Sequence, residues 1–229
     1  MSRLEAYYDQ LAAPETDFRA QVCHTHHGKP VSEQQFALMV ADLKTALGLA
    51  PGDRVLDLCC GNGLITRDLA AEARSVVGVD FSAALLDVAR THHQPKNTTY
   101  CHLDALALDR LEALEPEPFD KVVMHGALQH FRHDQLAPLL RGILARCTPE
   151  ATVLLSYLPD VSRRGKFYNT PRRKLAWAWG RLRGLELMGS WWSLRQIAAV
   201  AEAQGRRAEA VSLDPGLQTA HYRFHVRIS

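Results

Sequence analysis

From residue 53 onward the chain alternates short apolar runs with amphipathic stretches. Residues 54–58, 75–79, 98–103, 119–124 and 151–157 are compact runs with the character of buried strands. Between them lie helical patterns: Leu64, Ile65, Leu69 and Ala70, then Leu85, Leu86 and Ala89 behind Ser82 as an N-cap, then a helix over 134–147. Strands without polar alternation, separated by helices, predict a parallel sheet covered on both faces. A helix over 194–204 and strands over 207–213 and 222–228 follow. In the last strand Tyr222, Phe224, Val226 and Ile228 alternate with Arg223, His225 and Arg227, as in an antiparallel edge region. Residues 2–47 read as helical. Ser2 opens a stripe of Leu4, Tyr7, Tyr8 and Leu11 that Pro14 stops. Ser32 then caps a helix through Phe36, Met39, Val40, Leu43 and Leu47, ending at Gly48.

The strand ends carry the candidate chemistry. The run Val55-Leu56-Asp57-Leu58-Cys59-Cys60-Gly61-Asn62-Gly63 puts an acid at the end of one strand and two glycines in the turn before a helix. Such a loop lets backbone approach a ligand closely. The next strand, Val76-Val77-Gly78-Val79-Asp80, ends in a carboxylate 17 positions after Gly63, where dinucleotide-type folds bind a ribose. Asp104 follows the third run and His125 the fourth. A nicotinamide fingerprint wants a third small residue where this chain has Thr66, and no Tyr-x-x-x-Lys pair follows the fourth strand.

These residues resemble the class I S-adenosylmethionine-dependent methyltransferases over roughly residues 35–158. The resemblance implies an α/β, Rossmann-like, doubly wound seven-stranded sheet of order 3-2-1-4-5-7-6. It implies S-adenosylmethionine as cofactor. Asp57, Gly61 and Gly63 are then expected around its methionyl part, Asp80 at the ribose and Asp104 at the adenine. Tyr8, Cys59, Asn62, Phe81, Ala105 and His125 complete the expected cofactor contacts. Cys59 stands where the family has its first loop glycine. Domain organisation follows as a helical cover over 1–50, a core over 51–159 and 193–229, and a lid over 160–192.

Methyl transfer needs a base only for acceptors such as hydroxyls or protonated amines, and histidine suits neutral pH. His125 and His130 lie where the family brings methyl group and acceptor together, and both are candidate bases. Neither an Asn-Pro-Pro-Tyr nor an Asp-Pro-Pro-Tyr motif follows the fourth strand. No Pro-Cys nucleophile is present either, Cys147 being expected on a helix. A hydroxyl acceptor is therefore favoured. The cluster Cys23-His24-Thr25-His26-His27 lacks the second half of a zinc site, and no metal is expected there. It reads instead as a loop bringing a histidine over the pocket.

Charge adds one feature. Residues 160–192 hold eight basic and two acidic residues, so a chain of net charge +2 carries +6 there and −4 elsewhere. Aromatics Phe167, Tyr168, Trp177, Trp179, Trp191 and Trp192 are interleaved. A lid over a phosphate-bearing acceptor, a membrane-surface helix and an RNA platform compete with a solvated helix that has no partner. The run His221-Tyr222-Arg223-Phe224-His225 resembles the ends of methyltransferases of surface-polysaccharide systems, with His225 in place of an acid. Taken together, the sequence implies O-methylation of a small molecule, sugar or glycan. Methylation of RNA or another natural product, and a non-catalytic cofactor-binding module, stand as alternatives. An odd count of five cysteines without CxxC spacing predicts free thiols. The lack of an apolar leader or an apolar run of about 18 residues predicts a soluble, cytoplasmic protein.

Overall fold

A computed structural model describes residues 3–12, 17–26, 28–182 and 188–229. Ser2, Pro14, His27 and residues 183–187 lie outside the described residues. The chain opens with α1 (Arg3–Leu11) and the short α2 (Phe18–Gln21). A small antiparallel pair follows, β1 (Thr25–His26) and β2 (Lys29–Pro30). Ser32 then caps α3 (Glu33–Leu47) by accepting the N–H of Gln35, and Gly48 closes that helix in the left-handed conformation.

The core alternates strand and helix: β3 (Arg54–Leu58), α4 (Leu64–Ala70), β4 (Ser75–Asp80), α5 (Ala83–His92), β5 (Thr98–His102), β6 (Phe119–His125), α6 (Leu136–Leu144) and β7 (Cys147–Pro159). Short α7 (Arg164–Phe167) and α8 (Pro171–Leu182) precede α9 (Leu194–Glu202), β8 (Ala208–Val211) and β9 (Arg223–Ile228). The large sheet has seven strands in the order β5-β4-β3-β6-β7-β9-β8. Counted within that sheet alone, this is 3-2-1-4-5-7-6. Strands β3 to β7 are parallel, and β9 is antiparallel to both neighbours. All five residues of β3 are buried, as a strand covered on both faces requires.

Three details differ from the sequence reading. Strand β9 lies between β7 and β8 rather than at the edge, so its polar face is covered and Arg223 and His225 are 7% and 1% exposed. Cys147 begins β7 rather than ending a helix, and its thiol reaches back to the carbonyl of Ile143. Helix α3 packs its apolar stripe into the main core instead of covering the site. The five cysteines are free, and no described helix is long and apolar enough to cross a membrane.

The antiparallel direction of β9 decides where its first residue lies. Arg223 pairs with Pro159 at the end of β7, so β9 starts at the edge where the parallel strands finish. That carboxyl edge is where ligands sit in open parallel sheets.

Candidate active site

A cavity of about 270 Å³ opens along this edge. One end is acidic. Asp57 is the penultimate residue of β3 and is 2% exposed, and Thr66 on the first turn of α4 donates to its Oδ2 at 2.6 Å. Burial, then the neighbouring Asp80, push the Asp57 carboxyl up to about 7, although the Thr66 hydroxyl opposes the shift. Asp80 closes β4, and its two oxygens accept the N–H groups of Gly61 (2.8 Å) and Ser82 (2.9 Å). Asp104 lies in the turn after β5 and caps the N–H of Leu106. Phe81 and Ala105 line the same end.

The loop between β3 and α4 spends its own donors. The N–H groups of Cys59 and Cys60 bond the carbonyl of Val79, Gly63 N–H bonds Cys60, and Leu64 N–H bonds the Asn62 side chain. A pyrophosphate cradle needs such groups free. Cys59 adopts φ 63°, Gly61 56° and Gly63 75°, so the substituted position keeps the left-handed turn. Burial, then the charge of Asp80, push the Cys59 and Cys60 thiols well up, so both stay protonated. Asn62 faces α2 as well as the cavity, donating to Phe18 O and Gln21 Oε1 at 2.8 Å each. Gly63 does not line the cavity. A side chain there would strike Tyr100 and come within 2.9 Å of Ala89.

The other end gathers imidazoles. His125 ends β6, opposite Ser156 in the β6–β7 register, and its Nδ1 lies 2.9 Å from Ser156 Oγ. The ring stacks on Tyr157 at 4.9 Å, and Nε2 is buried without a hydrogen-bond partner among the described residues. Burial, then His24, His225 and Arg223, hold the His125 pKa well below the usual range for histidine. His24 packs 5.4 Å from His125, and burial followed by the Arg223 charge brings its pKa to about 4. His130 sits at the mouth, its Nε2 3.2 Å from Tyr8 Oη. Loss of hydration, then the Arg223 charge, lower its pKa as well. Tyr8 also meets Phe81 edge-on, so α1 covers the opening.

Of the residues expected from sequence, the cavity therefore unites Tyr8, Asp57, Cys59, Gly61, Asn62, Asp80, Phe81, Asp104, Ala105, His125 and His130. Among those not foreseen, Tyr157 and Arg223 stand out. Its place among the polar positions of an alternating strand gave the latter no distinguishing signal. Among the described residues no three His, Cys, Asp or Glu groups converge as a metal site. Described residues of 160–192 do not line the cavity. Phe167, Tyr168, Trp177, Trp191 and Tyr222 pack with one another behind it. Arg164 and Arg173 lie over the Trp191 and Phe167 rings.

Residues 55–150 match the family model described as "Methyltransferase domain". These residues are similar to methyltransferase domains, over less than half of the chain. The chain is 34% identical over 103 residues to a ubiquinone biosynthesis O-methyltransferase of Hahella chejuensis, which covers 44% of this chain and 42% of the relative. A protein of the same name from Xanthomonas campestris is 32% identical over 108 residues, or 47% and 44% of the two chains. The match thus spans less than half the length of these curated relatives. Among solved structures, one described as "DhpI-SAM-HEP complex" superposes with a TM-score of 0.67 at 16% identity, covering 100% of this chain and 99% of the other. The magnesium protoporphyrin IX methyltransferase of Synechocystis PCC 6803 with bound S-adenosylhomocysteine gives 0.63 at 17%, covering 98% and 97%. At these identities the superpositions establish the fold.

S-adenosylmethionine is the cofactor expected for a methyltransferase domain of this kind, and the donor set suits it. Its sulfonium and ammonium are cationic, and the end of the cavity formed by β3, β4 and β5 offers three carboxylates. A dinucleotide would bring a pyrophosphate to those carboxylates and to a loop where the N–H groups of Cys59, Cys60, Gly61, Gly63 and Leu64 are already engaged.

Proposed function

We propose that the protein transfers the methyl group of S-adenosylmethionine to a hydroxyl of a small-molecule acceptor. The observation that carries this reading is the His125 imidazole, held neutral at the end of the cavity away from the carboxylates, with Nε2 buried and unpartnered among the described residues. In the tautomer whose Nδ1–H donates to Ser156 Oγ, Nε2 presents its lone pair to the acceptor. There it takes up the hydroxyl proton as the oxygen attacks. Stacking on Tyr157 fixes the plane of the ring. Bound cofactor supplies an electrophilic methyl group on a sulfonium, a good leaving group. The remaining contribution of the chain is alignment and exclusion of water. Asp57, Asp80 and Asp104 hold the cofactor, while Tyr8 and His130 close the mouth.

The names of the curated relatives support oxygen as the nucleophile. A sugar hydroxyl is among the acceptors this reading admits, on the resemblance of the final strand. The test is formation of S-adenosylhomocysteine from S-adenosylmethionine with the small-molecule fraction of a cell extract or with total RNA. Turnover with the small-molecule fraction is expected. Turnover with RNA alone would transfer the protein to the nucleic-acid alternative, and cofactor binding without turnover on any fraction would make it a non-catalytic module.

A further inference from the structure

Arg223 is a buried cation without an anion among the described residues. Its side chain lines the main cavity and also a smaller one of about 70 Å³ that shares Cys23, His24 and Tyr157 with it. Nη1 donates to the carbonyl of Tyr157 and, at 3.1 Å, to Gln129 Oε1. Among the described residues Nη2 meets only the sulfur of Met188 at 3.3 Å, and Nε–H is buried with no partner. The guanidinium lies 4.7 Å from the Tyr157 ring centroid and 5.3 Å from that of Tyr222. Rings and a carbonyl offer partial charges, not a counter-ion. No described carboxylate lies within ion-pair distance of Arg223. The network next to it holds Asp42, but that carboxylate is taken by His225 Nε2 at 2.9 Å.

The charge is felt by the surrounding groups. It depresses the pKa of His24, His125 and His130, so the end of the cavity formed by β6, β7 and β9 is positive while the β3–β5 end is acidic. Buried charges are normally paired, and a guanidinium whose Nε–H has no partner and whose Nη2 meets only a weakly accepting thioether can offer that edge to an oxyanion. Among the described residues of 160–192 no basic side chain lines the cavity.

We infer that Arg223 binds an oxyanion, a carboxylate or a phosphate, carried by the methyl acceptor. The inference rests on the proposed transfer to a small-molecule hydroxyl. Arg223 is then a specificity residue: it anchors the acid group while the hydroxyl meets His125. A neutral acceptor would leave the cation buried and unpaired, and would be disfavoured on that ground.

The test uses protein saturated with S-adenosylhomocysteine, with benzoate, phenyl phosphate and benzamide as probes. Binding is followed by NMR on the Arg223 Nε–H resonance, identified by its loss in Arg223→Lys. Saturable shifts with at least one anion and none with benzamide are expected, and the carboxylate and phosphate arms tell which group fits. Arg223→Lys keeps the charge but loses the fork, and anion affinity should fall about tenfold or more. The inference is overturned if neither anion moves the resonance, if benzamide moves it equally, or if Arg223→Lys binds the anions as tightly as wild type. Should Arg223→Lys fail to fold, Arg223→Gln identifies the resonance and supplies the affinity comparison. Failure of S-adenosylhomocysteine to bind in the first step would sink the methyltransferase reading instead. Titration of the unliganded protein would still report on Arg223.

Discussion

Thr66 Oγ1 donates to Asp57 Oδ2 at 2.6 Å across a site closed to water, and the carboxyl still titrates near 7. One hydroxyl does not replace the hydration that Asp57 loses, and Asp80 adds a like charge nearby. The pair also explains why a third glycine is missing from the loop: the position belongs to the partner of an acid. A cation brought against Asp57 would complete its solvation.

The pH dependence of cofactor binding follows from that pair. The folded-state pKa of Asp57 is raised above its ordinary value, so without ligand this group's contribution to stability is present below about 4 and is lost as pH rises through about 7. A bound sulfonium or ammonium reverses the preference. Binding of S-adenosylmethionine should release protons between pH 6 and 7, roughly, and affinity should rise with pH to a plateau above that range. Calorimetry in buffers of different ionisation enthalpy measures the release. Asp57→Asn should abolish it. Proton uptake, or no pH dependence, would contradict the assignment.

The two candidate bases separate by position. His125 lies inside with Nε2 unpartnered among the described residues, whereas His130 engages Tyr8 at the mouth. His125→Ala should lower kcat by about 100-fold or more with the cofactor Kd little changed, the size expected for loss of general-base assistance. His130→Ala should instead weaken cofactor binding and leave most of the turnover. Because His125 and His24 stay neutral far below 6.5, the pH profile of kcat at saturating cofactor should show no acid limb near that value. An inverted pattern in the two variants would transfer the role to His130.

Loop geometry gives a stability contrast. Gly63 has φ 75° and no room for a Cβ beside Tyr100 and Ala89. Gly63→Ala should cost about 2–4 kcal/mol, combining overpacking with left-handed strain. Cys59 already accepts that strain at φ 63°, so Cys59→Gly should change stability by about 1 kcal/mol or less. Thermal denaturation measures both. A tolerated Gly63→Ala would show that the loop is less constrained than its packing indicates.

Much of this arrangement was legible because it is local. Ser32 and Ser82 cap their helices, the acids end their strands, and five strands fall in the parallel order their apolar runs imply. The acceptor end was not legible, since it is assembled from segments far apart in sequence. His24 meets His125 only because a turn at Cys23, φ 58°, folds back over the sheet. Arg223 reaches the site only because β9 runs antiparallel between two partners, and period-two alternation alone suggested no more than an antiparallel edge region. Basic composition over 160–192 pointed to a lid, but its described residues do not line the cavity. Its described arginines Arg164 and Arg173 stack on aromatic rings, and Arg163 pairs with Asp160. Among the described residues three other than glycine have positive φ, and Cys23, Cys59 and Tyr157 all line the cavity. Strain of this kind collects at functional sites.

The central claim is that the acidic end of the cavity holds S-adenosylmethionine, with Asp80 organising both the Gly61 loop and the ribose. Calorimetric titration of wild type and Asp80→Ala with S-adenosylmethionine and S-adenosylhomocysteine tests it most directly. The account predicts saturable binding of both to wild type and a loss of about tenfold or more in the variant, as two backbone bonds and a ligand contact disappear together. Absence of binding to a folded wild-type protein, or equal affinity in Asp80→Ala, would contradict it.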